Sequence, residues 1–318
     1  MTTMGERILG RSGIRVSELC LGTMMFDNEM GWRPTADQSA SRKIYEAYRE
    51  AGGYFVDTAN MYGHSEDVLG EMIAGERDQL VLATKFTLET DPADRNTHGS
   101  HRKNLRRSVE NSLRRLGTDY IDLLWVHAWD QRTPIDETVR ALDDLVRSGT
   151  VHAVGISNTP AWVVSSAVTL AALRGWTPFC ALQVQYSLVA RTADREILPM
   201  AAANDLAVTG WSPLAMGLLA GKDVAWATDH DKGIAAAVAE IAAEVGATPS
   251  QVALAWSLHR GVMPIIGSSK PEQLADSLGA ADLELPADVL ARLDEVSAVA
   301  LGYPHEFLTL KLDILGPL

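Results

Sequence analysis

Cysteine is scarce: only Cys20 and Cys180 occur in 318 residues. They are far apart and each lies within an apolar segment. No C-x-x-C metal or redox motif can be built from them; two reduced core thiols in a cytosol are expected, with a single disulfide as the lesser alternative. Long hydrophobic runs are also missing. No stretch approaches the ~18 uncharged apolar residues that span a bilayer. The N-terminal "MTTMGERILGRSG" is polar and has no apolar targeting core, so a cytoplasmic protein without a membrane partner is expected. Positive charge is in deficit, with 28 Lys and Arg against 41 Asp and Glu and a net charge of −13. Such a surface disfavours nucleic acid and anionic membranes as partners. There is no G-x-G-x-x-G, no P-loop, no Tyr-x-x-x-Lys and no H-E-x-x-H. His98 and His101 lie in a polar loop, for which an ordinary loop is the simpler reading, and no metal is expected. The basic residues between Arg102 and Arg115 read as the solvated face of an amphipathic helix. No linker or low-complexity segment divides residues 1–318, and one domain is expected.

What the chain does have is an alternation. Short β-favouring runs occur at Leu19–Gly22, Tyr54–Asp57, Leu80–Lys85, Ile121–His127, Val151–Ser157, Phe179–Gln185, Ala207–Trp211 and Val262–Gly267. Several, such as "IDLLWV", are continuously apolar, as strands buried on both faces of a parallel sheet must be. Helical patterns lie between them. "HRKNLRRSVENSLRRLG" aligns Leu105, Val109, Leu113 and Leu116 on one stripe and stops at Gly117. "TPIDETVRALDDLVRSG" opens with Pro134 and ends at Gly149. Others fit 41–53, Ala161–Leu173, Asp194–Asn204, Gly233–Gly246, Pro249–Arg260 and Pro271–Leu278. Eight strand–helix units predict an α/β fold, a closed (β/α)8 TIM barrel. The preceding "RILGRSGIRVS" predicts a β-hairpin turning at Ser12-Gly13, placed as a plug for the barrel bottom.

Barrels of this kind carry their chemistry at the C-terminal ends of the strands. The second strand ends at Asp57, with Tyr62 in its loop. The third ends at Lys85 and the fourth at His127. A buried lysine needs a partner, and Asp57 on the neighbouring strand is the obvious one. A phenol titrates near 10 when unperturbed, and a cationic Lys85 nearby is expected to lower it. His127 can donate a hydrogen bond to a substrate oxygen. The set suits a carbonyl whose oxygen gains a proton while its carbon gains a hydride.

Those residues lie in motifs that carry a resemblance over essentially the whole chain. They are "LGTM", "DTANMYGHSEDVLG", "LATK", "LRRLGTDYIDLLWVH", "VRSGTVHAVGISN", "LQVQYSLVAR", "GWSPLAMGLLAGK" and "IIGSSKPEQLADSL". Together they are similar to the aldo-keto reductases, particularly the branch that includes the potassium-channel β subunits and bacterial aldo/keto reductases. The resemblance implies a catalytic tetrad of Asp57, Tyr62, Lys85 and His127, with Tyr62 as general acid. It also implies NADPH as cofactor. Ser157, Asn158 and Gln183 would hydrogen-bond the nicotinamide carboxamide, and Trp211 would stack on the ring. Ser157 and Asn158 would equally serve to cap the next helix.

The segment Ser212, Pro213, Leu214, Gly217, Leu219 and Lys222 would wrap the pyrophosphate. Gly267, Ser268, Ser269 and Lys270 would grip the 2′-phosphate, and Ser269 and Glu272 also fit a capping box. Gln273 stands where the family often carries Arg, and Asp276-Ser277 where it carries Glu-Asn. Gly22, Thr23 and Met24 complete the expected cofactor contacts. Met25, Phe26, Trp32, Trp129 and Tyr303 are the candidate substrate walls. The implied activity is NADPH-dependent reduction of an aldehyde or ketone to an alcohol. The alternatives are a nucleotide-sugar ketoreductase and a nucleotide-binding regulatory or redox-sensing subunit with little turnover. Oligomeric state is not legible.

Overall fold

A computed structural model of the chain describes residues 4–27 and 35–309. Two short strands, β1 (Glu6–Ile8) and β2 (Arg15–Ser17), form an antiparallel hairpin. Its connection is longer than a two-residue turn. A 3-10 turn at Gly10–Ser12 and left-handed Gly13 join the strands, and the Leu9 N–H donates to Ile14 O at 2.8 Å. A Cβ on Gly10 would lie 2.1 Å from the Cys180 carbonyl oxygen and 2.7 Å from that of Asp205. The hairpin is thus pressed against the N-terminal ends of two barrel strands. Its Leu9 and Val16 join the apolar cluster of the barrel interior.

The barrel consists of β3 (Cys20–Gly22), β4 (Phe55–Asp57), β5 (Val81–Phe86), β6 (Ile121–Val126), β7 (Val151–Ser157), β8 (Ala181–Gln185), β9 (Ala207–Trp211) and β10 (Val262–Ile266). All neighbours pair in parallel, and β10 pairs with both β9 and β3, which closes the ring. This is the expected TIM barrel. Residues alternate along each strand between the interior and the surrounding helices. In β5, Val81 and Ala83 belong to the interior cluster, whereas Leu82 and Phe86 pack outward. The interior is filled below the site by Trp125, which is fully buried. Gly155 makes room for it: a Cβ there would meet the indole at 2.4 Å. A large side chain facing a glycine is how a narrow barrel reaches close packing.

The α-helices around the barrel are α1 (Gln38–Glu50), α2 (Ser65–Ile73), α3 (Arg102–Leu116), α4 (Ile135–Arg147), α5 (Ala161–Arg174), α6 (Ile197–Ala203), α7 (Asp229–Val245), α8 (Pro249–His259), α9 (Pro271–Leu278) and α10 (Ala287–Val296), and residues 305–309 are helical as well. Two have no counterpart in the sequence reading. In α2 nearly every side is buried, so it lacks a polar face to set a period. The other, α10, is exposed or half-buried along most of its length and buries only Val289 and Leu293, a short stripe four residues apart. The start of α7 lies four residues before Gly233, because Thr228 and Asp231 form a reciprocal capping box. Asp194 ends a 3-10 turn and α6 begins only at Ile197. No described helix is long and apolar enough to cross a membrane.

Candidate active site

Asp57 ends β4, Lys85 is the last residue but one of β5 and His127 directly follows β6, and all three are buried. Lys85 Nζ donates to Asp57 Oδ1 and, at 2.8 Å, to the Thr58 carbonyl. Gln183 Nε2 donates to Asp57 Oδ2 at 3.1 Å. Both carboxylate oxygens are therefore occupied, and the lysine is held by two fixed acceptors. Tyr62 lies above them, with Lys85 Nζ 5.0 Å from its ring centroid. Its ring meets that of His127 edge-on, at a centroid separation of 5.9 Å. The four residues form one cluster.

Burial sets the electrostatics. Lys85 is raised above its ordinary value, because attraction to Asp57, with help from Tyr62, outweighs desolvation. It remains a cation. His127 is pushed down to about 3, first by burial and then by the charge of Lys85, so its imidazole is neutral. Tyr62 departs from the sequence expectation. Lys85 does pull the phenol down, but burial pushes it up more strongly, and the net direction is upward. Its hydroxyl is thus kept protonated.

A second group of polar residues adjoins the cluster. Asn158, in a left-handed conformation at φ 47°, does not cap α5. Its Nδ2 donates to the His127 carbonyl at 2.8 Å, and its Oδ1 accepts from Trp211 Nε1 at 3.1 Å. The indole is thereby fixed by its edge, leaving its faces free to stack. Ser157 is fully buried and its Oγ has no partner among the described residues. It lies in register with Gln183. An orphaned hydroxyl, two amides and an anchored indole on the neighbouring strands β7, β8 and β9 fit a nicotinamide and its carboxamide. A cleft of about 330 Å³ opens beside Asn158 and Trp211, bounded also by Pro160, Gln185, Thr192 and Ile197.

The loop after β9 is unusual in its backbone. Ser212, Ala215, Met216 and Gly217 all have positive φ. Gly217 is required, because the stem of Lys222 crosses it and a Cβ would meet Lys222 Cδ at 2.6 Å. Leu219 is buried in the core and Pro213 is buried too, so only their backbones can face a ligand. Before α9 the capping box is not formed: Lys270 is the N-cap residue and no side chain caps the helix. Ser268 instead closes its own turn, accepting from the Lys270 N–H at 3.0 Å and donating to Lys270 O and to Gln273 Oε1. Ser269 is half-buried, while Gly267 and Lys270 are exposed.

Other expected contacts are directed elsewhere. Asp276 Oδ1 accepts from Thr248 Oγ1 at 2.8 Å, and Ser277 Oγ donates to Gln273 O, so both serve helix packing. Thr23 Oγ1 is bound to Ser65 Oγ at 2.7 Å. Gly22 pairs with Asp57 and is buried, and Met24 follows half-buried. Phe26 is a correction: it is fully buried in the cluster between barrel and helices, with no face left for substrate. Met25 is half-buried. Trp129 is half-buried and meets exposed Trp162 edge-on at 5.5 Å. Tyr303 is almost fully exposed, against Phe307. Trp32 lies outside the described residues. His101 caps α3 through Nδ1, and no metal-binding group of His, Cys, Asp or Glu occurs among the described residues. Cys20 and Cys180 are buried free thiols.

The aldo/keto reductase family model matches residues 18–298. The chain belongs to the aldo/keto reductase family. Its relatives include norsolorinic acid reductase of Aspergillus flavus, 35% identical over 95% of this chain and 84% of that protein. Norsolorinic acid reductase stcV of Emericella nidulans is 38% identical over 93% of this chain and 82% of its own. An aryl-alcohol dehydrogenase [NADP(+)] of Phanerodontia chrysosporium is 33% identical over 92% and 86%. This aldo/keto reductase is accordingly an enzyme of carbonyl reduction.

The residue that sequence reasoning passed over is Thr87. It follows β5 with φ 108°, is buried, and has no hydrogen-bond partner for its hydroxyl among the described residues. A β-branched residue does not announce a left-handed backbone, so no sequence signal marked it.

Proposed function

We propose that the chain, acting as a single barrel domain, is a cytoplasmic NADPH-dependent reductase that converts an aldehyde or ketone to an alcohol. The observation that carries this reading is the cluster of buried Asp57, Lys85 and His127 with half-buried Tyr62, in which the lysine is a cation, the phenol protonated and the imidazole neutral. NADPH, when bound, supplies the hydride to the carbonyl carbon. Tyr62 donates its proton to the carbonyl oxygen, and Lys85 stabilises the phenolate left behind. Asp57 fixes the lysine. His127 donates a hydrogen bond to the same oxygen and so orients the carbonyl.

Ser157, Asn158 and Gln183 would hold the carboxamide and Trp211 would stack on the ring. The backbone of 212–222 and the exposed Lys222 would follow the pyrophosphate, and Lys270 at the start of α9 would face a 2′-phosphate. The test is Tyr62→Phe. General acid catalysis contributes about 10²–10⁴-fold, so kcat for an aromatic aldehyde should fall by at least that much while NADPH still quenches tryptophan fluorescence. Turnover within a few-fold of the parent would remove Tyr62 from the reaction.

A further inference from the structure

One hydrogen bond crosses the barrel from wall to wall. In the closed ring β8 stands four strands from β4 in either direction, directly opposite it. Gln183 of β8 nevertheless reaches Asp57 at the end of β4, its Nε2 donating to Oδ2 at 3.1 Å. Both residues are 3% exposed. Nothing beside it in the sheet holds the amide. Its ladder partners are Ser157 on β7 and Thr209 on β9, and both hydroxyls are buried without a partner among the described residues. Chemistry fixes the direction of the bond, because a carboxylate only accepts and the amide must turn its NH2 towards it. That leaves Oε1, which accepts no hydrogen bond among the described residues and yet is not a sealed-in orphan like Ser157 Oγ. It is the polar end of the side chain that solvent reaches.

Asp57 depends on that donor. Oδ1 accepts from Lys85 Nζ and Oδ2 from Gln183, and no backbone N–H binds either oxygen among the described residues. A carboxylate held by one flexible lysine can swivel, whereas a second donor on the opposite oxygen sets its plane. Lys85 is gripped in turn by Oδ1 and by the Thr58 carbonyl, with its Nζ 5.0 Å from the Tyr62 ring centroid. Without the amide, Oδ2 would be a desolvated anionic oxygen left unpaired, and the carboxylate would turn to relieve it.

We propose that Gln183 is a positioning residue for the reduction: its amide, donating across the barrel to Asp57 Oδ2, fixes the carboxylate that holds Lys85 beside Tyr62. This rests on the reductase reading above and goes beyond a contact to the cofactor. With Nε2 committed to Asp57, Oε1 is the atom left for a nicotinamide carboxamide, from which it takes an N–H. Donation into Oε1 polarises the amide and strengthens its bond to Asp57, as linked hydrogen bonds do. A glutamate at this position would keep the accepting oxygen but lose the donor for as long as it is ionised. The charges it would face are those of Asp57 and Lys85. Cys20, Tyr62 and His127, the other titratable groups around that pair, are neutral. Two carboxyls at hydrogen-bond distance share a proton and hold it above the usual carboxylate range, so acid returns an O–H donor to the position.

The experiment compares the parent with Gln183→Glu and Gln183→Met on benzaldehyde at saturating NADPH, between about pH 8 and about pH 5. A hydrogen bond to a charged group is worth about 10- to 100-fold. Near pH 8, kcat of Gln183→Glu should therefore fall at least about tenfold, while NADPH, read by quenching of tryptophan fluorescence, binds within a few-fold of the parent. Relative to the parent, that kcat should recover in acid. A carboxyl whose folded pKa is raised stabilises below that value and destabilises above it, so the thermal midpoint of the cofactor-free variant should approach the parental one over the same range. Gln183→Met deletes the donor without adding charge: its kcat should fall as far and show no recovery in acid. It also covers the case in which the glutamate variant does not fold near pH 8. Parental kcat in Gln183→Met, or a ratio of Gln183→Glu to parent that stays constant with pH, would mean a contact to the carboxamide alone and would overturn the inference while leaving the reductase intact. A parent that turns over no benzaldehyde would overturn the reductase reading, and this inference with it.

Discussion

At His127 the environment determines which proton the site can hold. An imidazole free in the unfolded chain titrates near 6.5, whereas burial and Lys85 bring the folded one down to about 3. Between those values the unfolded chain binds the proton and the folded chain does not. Stability therefore rises with pH through this window; it is complete above about 6.5 and is lost progressively as pH falls towards 3. From pH 7 to pH 5 this one group removes about 2 kcal/mol. Urea unfolding of the parent and of His127→Asn should show it: the parent's advantage over the variant shrinks by about that amount at pH 5. A difference that does not change with pH would mean that the imidazole titrates alike in the folded and unfolded chain, and the lowering ascribed to burial and Lys85 would be wrong. The same opposition of burial and charge explains Tyr62. Spacing along the chain revealed a lysine beside a tyrosine, and so a lowered phenol; the depth of burial that reverses the sign is a property of the closed barrel.

Individual elements are tied by buried charge as well as by apolar contact. Glu66 in α2 is almost wholly buried; it accepts from Thr84 Oγ1 at 2.6 Å and from Arg115 Nε at 2.7 Å. One carboxylate thus joins α2, β5 and α3. The basic stripe of α3 is accordingly less solvated than its sequence implies, since Arg102, Arg107 and Arg115 all have acidic partners. Arg115→Met would leave the carboxylate buried without its counter-ion, a change worth about 3–5 kcal/mol. Thermal unfolding should report a large loss for Arg115→Met and recovery of most of it in Glu66→Gln/Arg115→Met. A loss below about 1 kcal/mol in the single variant would contradict the burial of that pair. The strands, by contrast, were legible, because eight apolar runs encode the barrel, and Asp57, Lys85, His127, Ser157 and Gln185 mark the polar rim at the ends of five of them. The helix α2, buried on nearly every side, was not, and α10 was passed over although Val289 and Leu293 form a buried stripe. Nor were side chains whose role depends on a distant partner, such as Asp276 turned onto Thr248.

For the whole molecule α10 has to be fastened back onto the ring, and Arg191 does this from the loop after β8. Its guanidinium bonds Asp194 through Nε at 2.8 Å, and Nη1 donates to Asp294 O at 3.0 Å and Ser297 Oγ at 2.8 Å at the end of α10. It also lies 5.3 Å from the ring of Trp256 in α8, whose Nε1 donates to Asp294 Oδ1. Loop, α8 and α10 therefore share one buried arginine. The chain beyond α10 is held by the next residues of the same loop segment: Arg195 Nε donates to Ala300 O at 2.8 Å and His305 Nε2 pairs with Glu196 at 3.0 Å. The tail is thus fastened over residues 191–197 by contacts of its own, apart from the strand pairing that closes the barrel. A lysine cannot reproduce a planar fork that bonds three partners at once. Hydrogen bonds to a charged group are worth about 1.5–3 kcal/mol each, so Arg191→Lys should loosen α10 locally before it unfolds the barrel. Amide exchange in residues 287–297 should quicken at least about tenfold while the amides of β4, β5 and β6 keep their protection. If protection falls equally everywhere, α10 opens only with global unfolding, and the tail is not an independently fastened part of the fold.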